Sequence, residues 1–326
     1  VIPPLGKTCC QIKSELLHVR LCFHKQIDRI LETLMDSLTE LFCLIDDFCH
    51  QFEPALEHHL LEAGIKKRKR RSKLSLSELM TLTVLFHQLR FRQFKSFYLV
   101  YVCRHLQAEF PKLPSYQRCV ELLPRCVAPL AALFEMLKGQ CDGISIADAT
   151  AIAVCDNRRI ARHRVFADSA RRGKTSMGWF YGFKLHAIIN SRGELIRLRL
   201  TAGNVDDRKP MPDLCQGLFG QLFADKGYLA QWLTEALDQQ NLQLITPLRK
   251  NMRPVPRTRF EKVILRRRSL IETVFDELKN LCQIEHTRHR SLFNFIVNLM
   301  AGIVAYCLSD NKPTLNLTRV NSLAKA

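Results

Sequence analysis

The chain has 326 residues, 47% of them hydrophobic, enough for two domains or one large domain with a helical extension, and for a core that needs no disulfides. Lys and Arg number 49 against 31 Asp and Glu, a formal net charge of +18 that predicts a polyanionic partner, either nucleic acid or an anionic membrane surface. The longest apolar stretch, Phe293 to Leu308, contains Asn294 and Asn298, is too short to span a bilayer and reads as a buried helix; with no secretory pattern at the start, the expectation is a cytoplasmic, nucleoid-associated protein that binds nucleic acid and no membrane.

The 13 cysteines are irregularly spaced, and no C-x-x-C occurs. They read as reduced, mostly buried apolar side chains rather than as a disulfide or zinc framework. Residues 12–63 are helical in pattern, with Leu16, Leu17, Leu21, Ile27, Ile30, Leu31, Leu34 and Leu38 at helical intervals, suiting either a helical arm or an ordinary packed subdomain. The run Lys66-Lys67-Arg68-Lys69-Arg70-Arg71-Ser72-Lys73 follows. It reads either as a solvated linker or as a phosphate-contacting arm, with Lys67, Arg68 and Arg70 as candidate DNA contacts.

Ser75-Leu-Ser-Glu78 has the capping-box spacing, and Leu79, Leu82, Phe86 and Leu89 continue it as an amphipathic helix. A second helical stretch runs from Tyr98 to Leu106; Pro111-Lys-Leu-Pro114 then stops the chain, and Ser115 can cap a third helix bearing Arg118 and Arg125. Three short helices ending in a basic one suit a helix-turn-helix-like DNA reader, with Arg118 as a candidate contact. Any small helical bundle would show the same pattern.

From about residue 140 the period changes to that of strands. Ile144 to Asp148 reads as a short strand ending in an acid. Tyr181 to Ile189 and Leu195 to Leu200 alternate about an Asn190-Ser-Arg-Gly193 turn, giving an antiparallel meander of three strands. The basic segment between them, with Arg158, Arg159, Arg162, Arg164, Arg171, Arg172 and Lys174, is expected to be a mobile loop near DNA. A helix around Arg208 to Leu218, a strand Gln221 to Asp225, a helix Leu229 to Leu237, a strand Leu242 to Thr246 and a basic Pro-rich loop Arg249 to Arg259 follow. Together these predict a mixed α/β sheet with helices packed on it.

The final element of interest is Arg268-Ser-Leu-Ile-Glu272-Thr-Val-Phe-Asp276-Glu-Leu-Lys279. Leu270, Ile271, Val274, Phe275 and Leu278 form an apolar stripe at helical spacing, while Arg268, Glu272, Asp276 and Lys279 fall on another face. Alone this is an ordinary amphipathic helix. Asp148 and Asp225, each at the stop of an apolar strand, give it a second reading. If those strands are neighbours, the two carboxylates lie roughly 5 Å apart, suited to flanking metal ions roughly 3.5–4 Å apart. Glu272 would complete a hard-oxygen site of the type that suits Mg²⁺ or Mn²⁺.

Ala147-Asp148-Ala-Thr150, Tyr181-Gly-Phe-Lys184-Leu-His186, Ala224-Asp225-Lys-Gly227-Tyr228 and Arg268-x3-Glu272-x6-Lys279 occur in an order that resembles bacterial insertion-sequence transposases of the DDE type. Within them the chain looks most like the insertion sequence 982 family of the insertion-sequence 4/5-like group, over residues 74–308. The resemblance implies an RNase H-like fold, two divalent ions, DNA strand cleavage and strand transfer. It implies Asp148, Asp225 and Glu272 as catalytic metal ligands, with Arg268 and Lys279 as the basic partners of the glutamate. Lys184 and His186 share a strand face and read either as DNA-phosphate contacts or as exposed sheet polars, and Lys226 is a further candidate DNA contact within these motifs. Where relatives often carry Tyr three residues before the arginine, this chain has Leu265. The interval from Asp225 to Glu272 has no room for the large β-rich insertion of some relatives.

The expected organisation is therefore a helical arm and basic linker (1–73), a helical DNA-binding region (74–138), an RNase H-like DDE domain (139–310) and a C-terminal tail (311–326). The expected partners are double-stranded DNA, as terminal inverted repeats and target, and a second copy in a synaptic homodimer. Rival readings are an RNase H-like nuclease or resolvase that cuts without joining, and a domesticated DNA-binding protein without chemistry. Rival residues are Asp276 and Glu277 on the Glu272 helix. Asp156 and Asp168 read as salt-bridged acids, and Asp207 either caps a helix or borders the site. His286-x-x-His289 reads as a basic surface turn. Trp179 reads either as a base-stacking ring or as a packed strand start.

Overall fold

The structure, a computed structural model, describes residues 37–58, 61–62, 64, 72–176, 178–285 and 289–317. Lys67, Arg68, Arg70 and His286 lie outside the described residues, as does the start of the expected helical arm. Contacts divide the chain into two units, residues 1–69 and 70–326.

In the first unit, residues 37–58 form one helix, α1. Leu38, Leu41, Ile45, Phe48 and Cys49 are buried at intervals that return to one helical face, and Phe48 stacks on Phe52 at 5.2 Å.

In the second unit, α2 (Leu76–Gln88) opens with the expected capping box. The Ser75 hydroxyl accepts from the Glu78 N–H, and the Glu78 carboxylate accepts from the Ser75 N–H. The helix is not amphipathic, since Thr81, Thr83 and His87 are buried along with its leucines. Next come α3 (Phe94–Ser96), a π-helical segment Phe97–Val102 and α4 (Cys103–His105). The buried Tyr98 hydroxyl donates to the Pro114 carbonyl at 2.6 Å and pins the Pro111–Pro114 stop. Ser115 then caps α5 (Tyr116–Leu122), which passes through a 3₁₀ turn into α6 (Val127–Leu137).

A six-stranded sheet follows, made of β1 (Ile144–Cys155), β2 (Arg171–Thr175), β3 (Gly178–Ile189), β4 (Leu195–Ala202), β5 (Gly220–Phe223) and β6 (Leu242–Ile245). β1 pairs antiparallel with β3 and parallel with β5, and β5 pairs parallel with β6. β4 pairs with Phe183–Ile189 of β3 and β2 with Gly178–Gly182, so the two strands share one edge of β3. An antiparallel meander continued by parallel strands across β1 fits the expected RNase H-like sheet.

β2 corrects one expectation. The basic segment after Asp156 is not a single loop: it holds a 3₁₀ turn, Asn157–Arg162, capped by Asp156, and then a paired strand. Helix also covers less of 208–218 than expected, only α7 (Met211–Leu214). α8 (Gln231–Asp238) and α7 cover one face of the sheet, burying Met211, Leu214, Leu233 and Leu237 against Ala147, Ile188 and Leu222. On the other face lie α9 (Arg259–Arg267), α10 (Leu270–Asp276), which packs on β1, and α11 (Leu292–Cys307), whose Phe295 stacks on Phe183 at 5.1 Å. α11 also packs against α2 and α6, and the Tyr306 hydroxyl donates to the Gly193 carbonyl in the β3–β4 turn. The helices of 76–137 and the sheet therefore share the α11 core. Cys119, Cys215 and Cys282 are buried thiols, as the cysteine pattern implied. No described helix is long and apolar enough to cross a membrane.

Candidate active site

Asp148 does not end its strand, contrary to expectation. It is the fifth of twelve residues in β1, and its Cα is paired with that of Ala187 in β3. What ends there is the pairing on the other side: β5 runs beside β1 only over Ile144–Ile146. From Ala147 onward that edge of β1 is left open, so Asp148 lies just beyond the last ladder rung, on a rigid strand and at a gap. Asp225 reaches the same gap from β5, two residues past its end, as N-cap of a 3₁₀ turn Lys226–Tyr228.

Asp148 senses its surroundings. Burial is the main cause of a raised Asp148 pKa, pushed up to about 6, and the charges of Asp207 and Asp225 add to it. The Ala149 N–H, which donates to Asp148 Oδ1 at 2.8 Å, and the Arg268 guanidinium oppose the rise. Arg268 Nη2 lies 3.0 Å from Asp225 Oδ1. The arginine expected to partner Glu272 thus holds the second acid instead.

The reason lies in the backbone. Arg268 to Lys279 is not one helix: Arg268 is the C-cap of α9, Ser269 turns the chain, α10 ends at Asp276, and Glu277–Leu281 is a π-helical segment. Each break rotates the side chains away from a 3.6-residue stripe. Glu272 is exposed on α10. Asp276 is also exposed and accepts a hydrogen bond from Asn280 at 2.6 Å. Lys279 pairs with Glu285 at 3.3 Å.

Strand alternation places the other expected contacts. Lys184 and His186 sit opposite Ala151 and Ala149, and so on the face of the sheet away from Asp148. Lys184 Nζ donates to Asp207 Oδ1 at 2.8 Å and to the Val205 carbonyl. His186 is fully buried, with Nε2 2.8 Å from Thr201 Oγ1 and burial lowering its pKa to about 4. As a buried neutral imidazole it presents no charge to DNA, which corrects that expectation. Lys226 is exposed beside Asp225, and Arg118 is exposed on α5 but paired with Glu121 at 3.0 Å.

The charge of Asp207, a minor candidate in the sequence, adds to the raised pKa of Asp148. Asp206 accepts from the Arg208 N–H and side chain, with the arginine as main cause of a pKa lowered to about 2, but the expected cap is not made: the N-cap of α7 is Pro210, with no side-chain contact. Trp179 is half exposed, with the Arg172 guanidinium 4.9 Å and the Lys174 ammonium 5.7 Å from its ring centre. An open groove runs past Arg172, Lys174, Trp179, Asp207 and Gly227.

Tyr228 carried no sequence signal beyond the motif word that contains it, yet its hydroxyl is buried without a hydrogen-bond partner and feels the charges of Asp148, Asp207 and Asp225. Helix α9 was also missed, although Thr258-x-x-Glu261 is a capping box on the sequence and forms one in the fold.

Carboxylate oxygens are hard donors, the kind that Mg²⁺ and Mn²⁺ prefer. Asp148 and Asp225 meet that requirement at one gap, where a positive group already sits on Asp225. Among the described residues, no three His, Cys, Asp or Glu side chains are gathered as a ready metal-binding group, so Glu272 is not yet joined to the pair.

Residues 138–292 match a family model described as a transposase DDE domain. That span holds Asp148, Asp225, Arg268, Glu272 and Lys279, but not the helices before residue 138. The match supports a DDE transposase family, a nuclease or transposase class of enzyme, and the mixed sheet with its flanking helices fits such a domain. It does not resolve a particular insertion-sequence group within that family. No curated protein and no solved structure matches the chain.

Proposed function

We propose that the chain is the DNA transposase of an insertion sequence, of the 982 type within the 4/5-like group, and that Asp148, Asp225 and Glu272 hold two Mg²⁺ or Mn²⁺ ions. The observation that carries this reading is the meeting of Asp148 and Asp225 at the open edge of β1, inside the span matched by the DDE family. Bound there, the ions would activate an attacking water or 3′-hydroxyl and stabilise the leaving oxygen of an in-line phosphoryl displacement.

The chain's own residues would do the rest. Asp148 and Asp225 are fixed by β1 and by the turn after β5, so their oxygens need little ordering when the site loads. Glu272 joins from α10. Arg268 exchanges its contact with Asp225 for a DNA phosphate as positive charge arrives at the acids, and Lys226 contacts the backbone beside them. Cleavage transfers the phosphoryl group from a 3′ oxygen to water. Joining transfers a target phosphoryl group to the freed 3′-hydroxyl at the element end. The 76–137 helices, with Arg118, and the basic residues Lys67, Arg68 and Arg70 would grip the terminal repeats, and two copies would hold two ends.

The test is incubation of the protein with duplex DNA carrying the sequences that flank its coding region, plus a supercoiled target. Divalent-dependent 3′-hydroxyl ends and joined products are expected. Cutting without any joined product would favour a nuclease or resolvase.

A further inference from the structure

We infer that Tyr228 is a positioning residue whose buried hydroxyl is kept in reserve for the cation-loaded form of the Asp148–Asp225 site. The inference rests on the metal-dependent reading above and names a residue outside its three ligands.

Tyr228 is 2% exposed, and its hydroxyl has no hydrogen-bond partner. A buried hydroxyl without a partner is costly, and in native folds such a group calls for an explanation. Its ring is not loose: it packs in a cluster with Leu222, Leu233 and the two alanines, Ala147 and Ala224, that immediately precede Asp148 and Asp225 in sequence. The ring is therefore held by apolar contacts that would serve Phe as well.

The hydroxyl end faces chemistry. Asp225 caps the 3₁₀ turn that Tyr228 closes, with the Tyr228 N–H donating to the Asp225 carbonyl at 3.0 Å. That hydrogen bond fixes Tyr228 on the same short turn that follows Asp225 out of β5. After burial, the charges of Asp148, Asp207 and Asp225, in that order, act most strongly on the hydroxyl. Yet each of these carboxylates already uses Oδ1 elsewhere: Asp148 on the Ala149 N–H, Asp207 on Lys184, and Asp225 on Arg268. An unpartnered donor in the field of acids whose Oδ1 atoms serve other groups is satisfied once those acids, or waters held by them, reorganise around a divalent ion. Donors placed behind metal ligands orient them, and their removal typically weakens metal binding 10–100-fold.

The experiment measures binding of Mn²⁺ alone to the purified full-length chain, by the loss of its free-ion electron paramagnetic resonance signal, for wild type and Tyr228→Phe. Thermal unfolding of both proteins without metal runs alongside. The expected result is a Mn²⁺ dissociation constant about 10-fold weaker in the variant, with a metal-free melting temperature equal to or above that of wild type, because the lost hydroxyl had no partner. Equal Mn²⁺ affinities would overturn this inference and leave the three-acid reading standing. A variant that binds weakly but also melts well below wild type without metal would overturn it as well, since the hydroxyl would then be structural. Absence of Mn²⁺ binding by wild type would overturn both readings together.

Discussion

A carboxylate whose pKa is pushed up by burial opposes folding whenever it is ionised, and Asp148 is such a group. Its ordinary value of 3.8 is raised to about 6. Between those values the native state keeps a proton that the unfolded chain has lost, so stability falls as pH rises through this window, and the cost is complete above it. A shift of about two units corresponds to about 3 kcal/mol at most. Asp148→Asn removes the charge but keeps an oxygen for the Ala149 N–H. It is expected to melt above wild type at pH 7.5, with the advantage shrinking toward pH 4, in thermal unfolding followed by circular dichroism. A variant no more stable than wild type at pH 7.5 would contradict the buried, charged placement. Wild type thus holds a destabilising acid, as functional sites commonly do.

At the scale of elements, one glycine shows how tightly the site strand is held. A Cβ on Gly182 of β3 would lie 2.0 Å from the Ile152 carbonyl oxygen of β1, beside the irregular register at Ala153 and Cys155. Only glycine permits this close backbone approach. Gly182→Ala is expected to cost about 1–3 kcal/mol, read as a lower denaturant midpoint with an unchanged slope. An unchanged midpoint would mean that the strands can part without loss. The same elements show what could be read in advance. The period-two runs of β3 and β4, the caps at Ser75 and Ser115, and the buried α11 were legible, because each is a local pattern fixed by backbone sterics or capping. β2 was not, since Arg171, Arg172 and Lys174 carry no apolar alternation and the strand exists only through pairing with β3. The charged stripe at Arg268–Lys279 misled for a related reason. A helical period assumes one continuous helix, and the turn at Ser269 and the π segment after Asp276 break it. Asp148 and Asp225 stand out in the sequence as acids closing apolar runs, but the unpaired edge of β1 beside them, the Arg268–Asp225 pair and the buried Tyr228 hydroxyl depend on contacts between distant segments.

At the scale of the whole molecule, the sequence carries a net charge of +18, yet the charges of Asp148, Asp207 and Asp225 act together on the Tyr228 hydroxyl. Among the basic residues, Lys226 lies beside Asp225, and Arg172 and Lys174 lie over Trp179. Under the proposed function, a polyanion would approach this acidic centre once a bound cation offset its charge. α11 links the sheet to the helices of 76–137, so recognition by those helices and chemistry at β1 would be coupled through one core. The central claim is that Glu272 joins Asp148 and Asp225 in phosphoryl transfer, and its rival is Asp276, one turn further on α10. The most direct measurement is end cleavage with Mg²⁺ by Glu272→Gln and Asp276→Asn, compared with wild type, on the duplex that carries the flanking sequences. The predicted result is loss of cleavage by at least about 10³-fold in Glu272→Gln with DNA binding nearly intact, and cleavage retained in Asp276→Asn. Unchanged cleavage by Glu272→Gln would contradict the assignment.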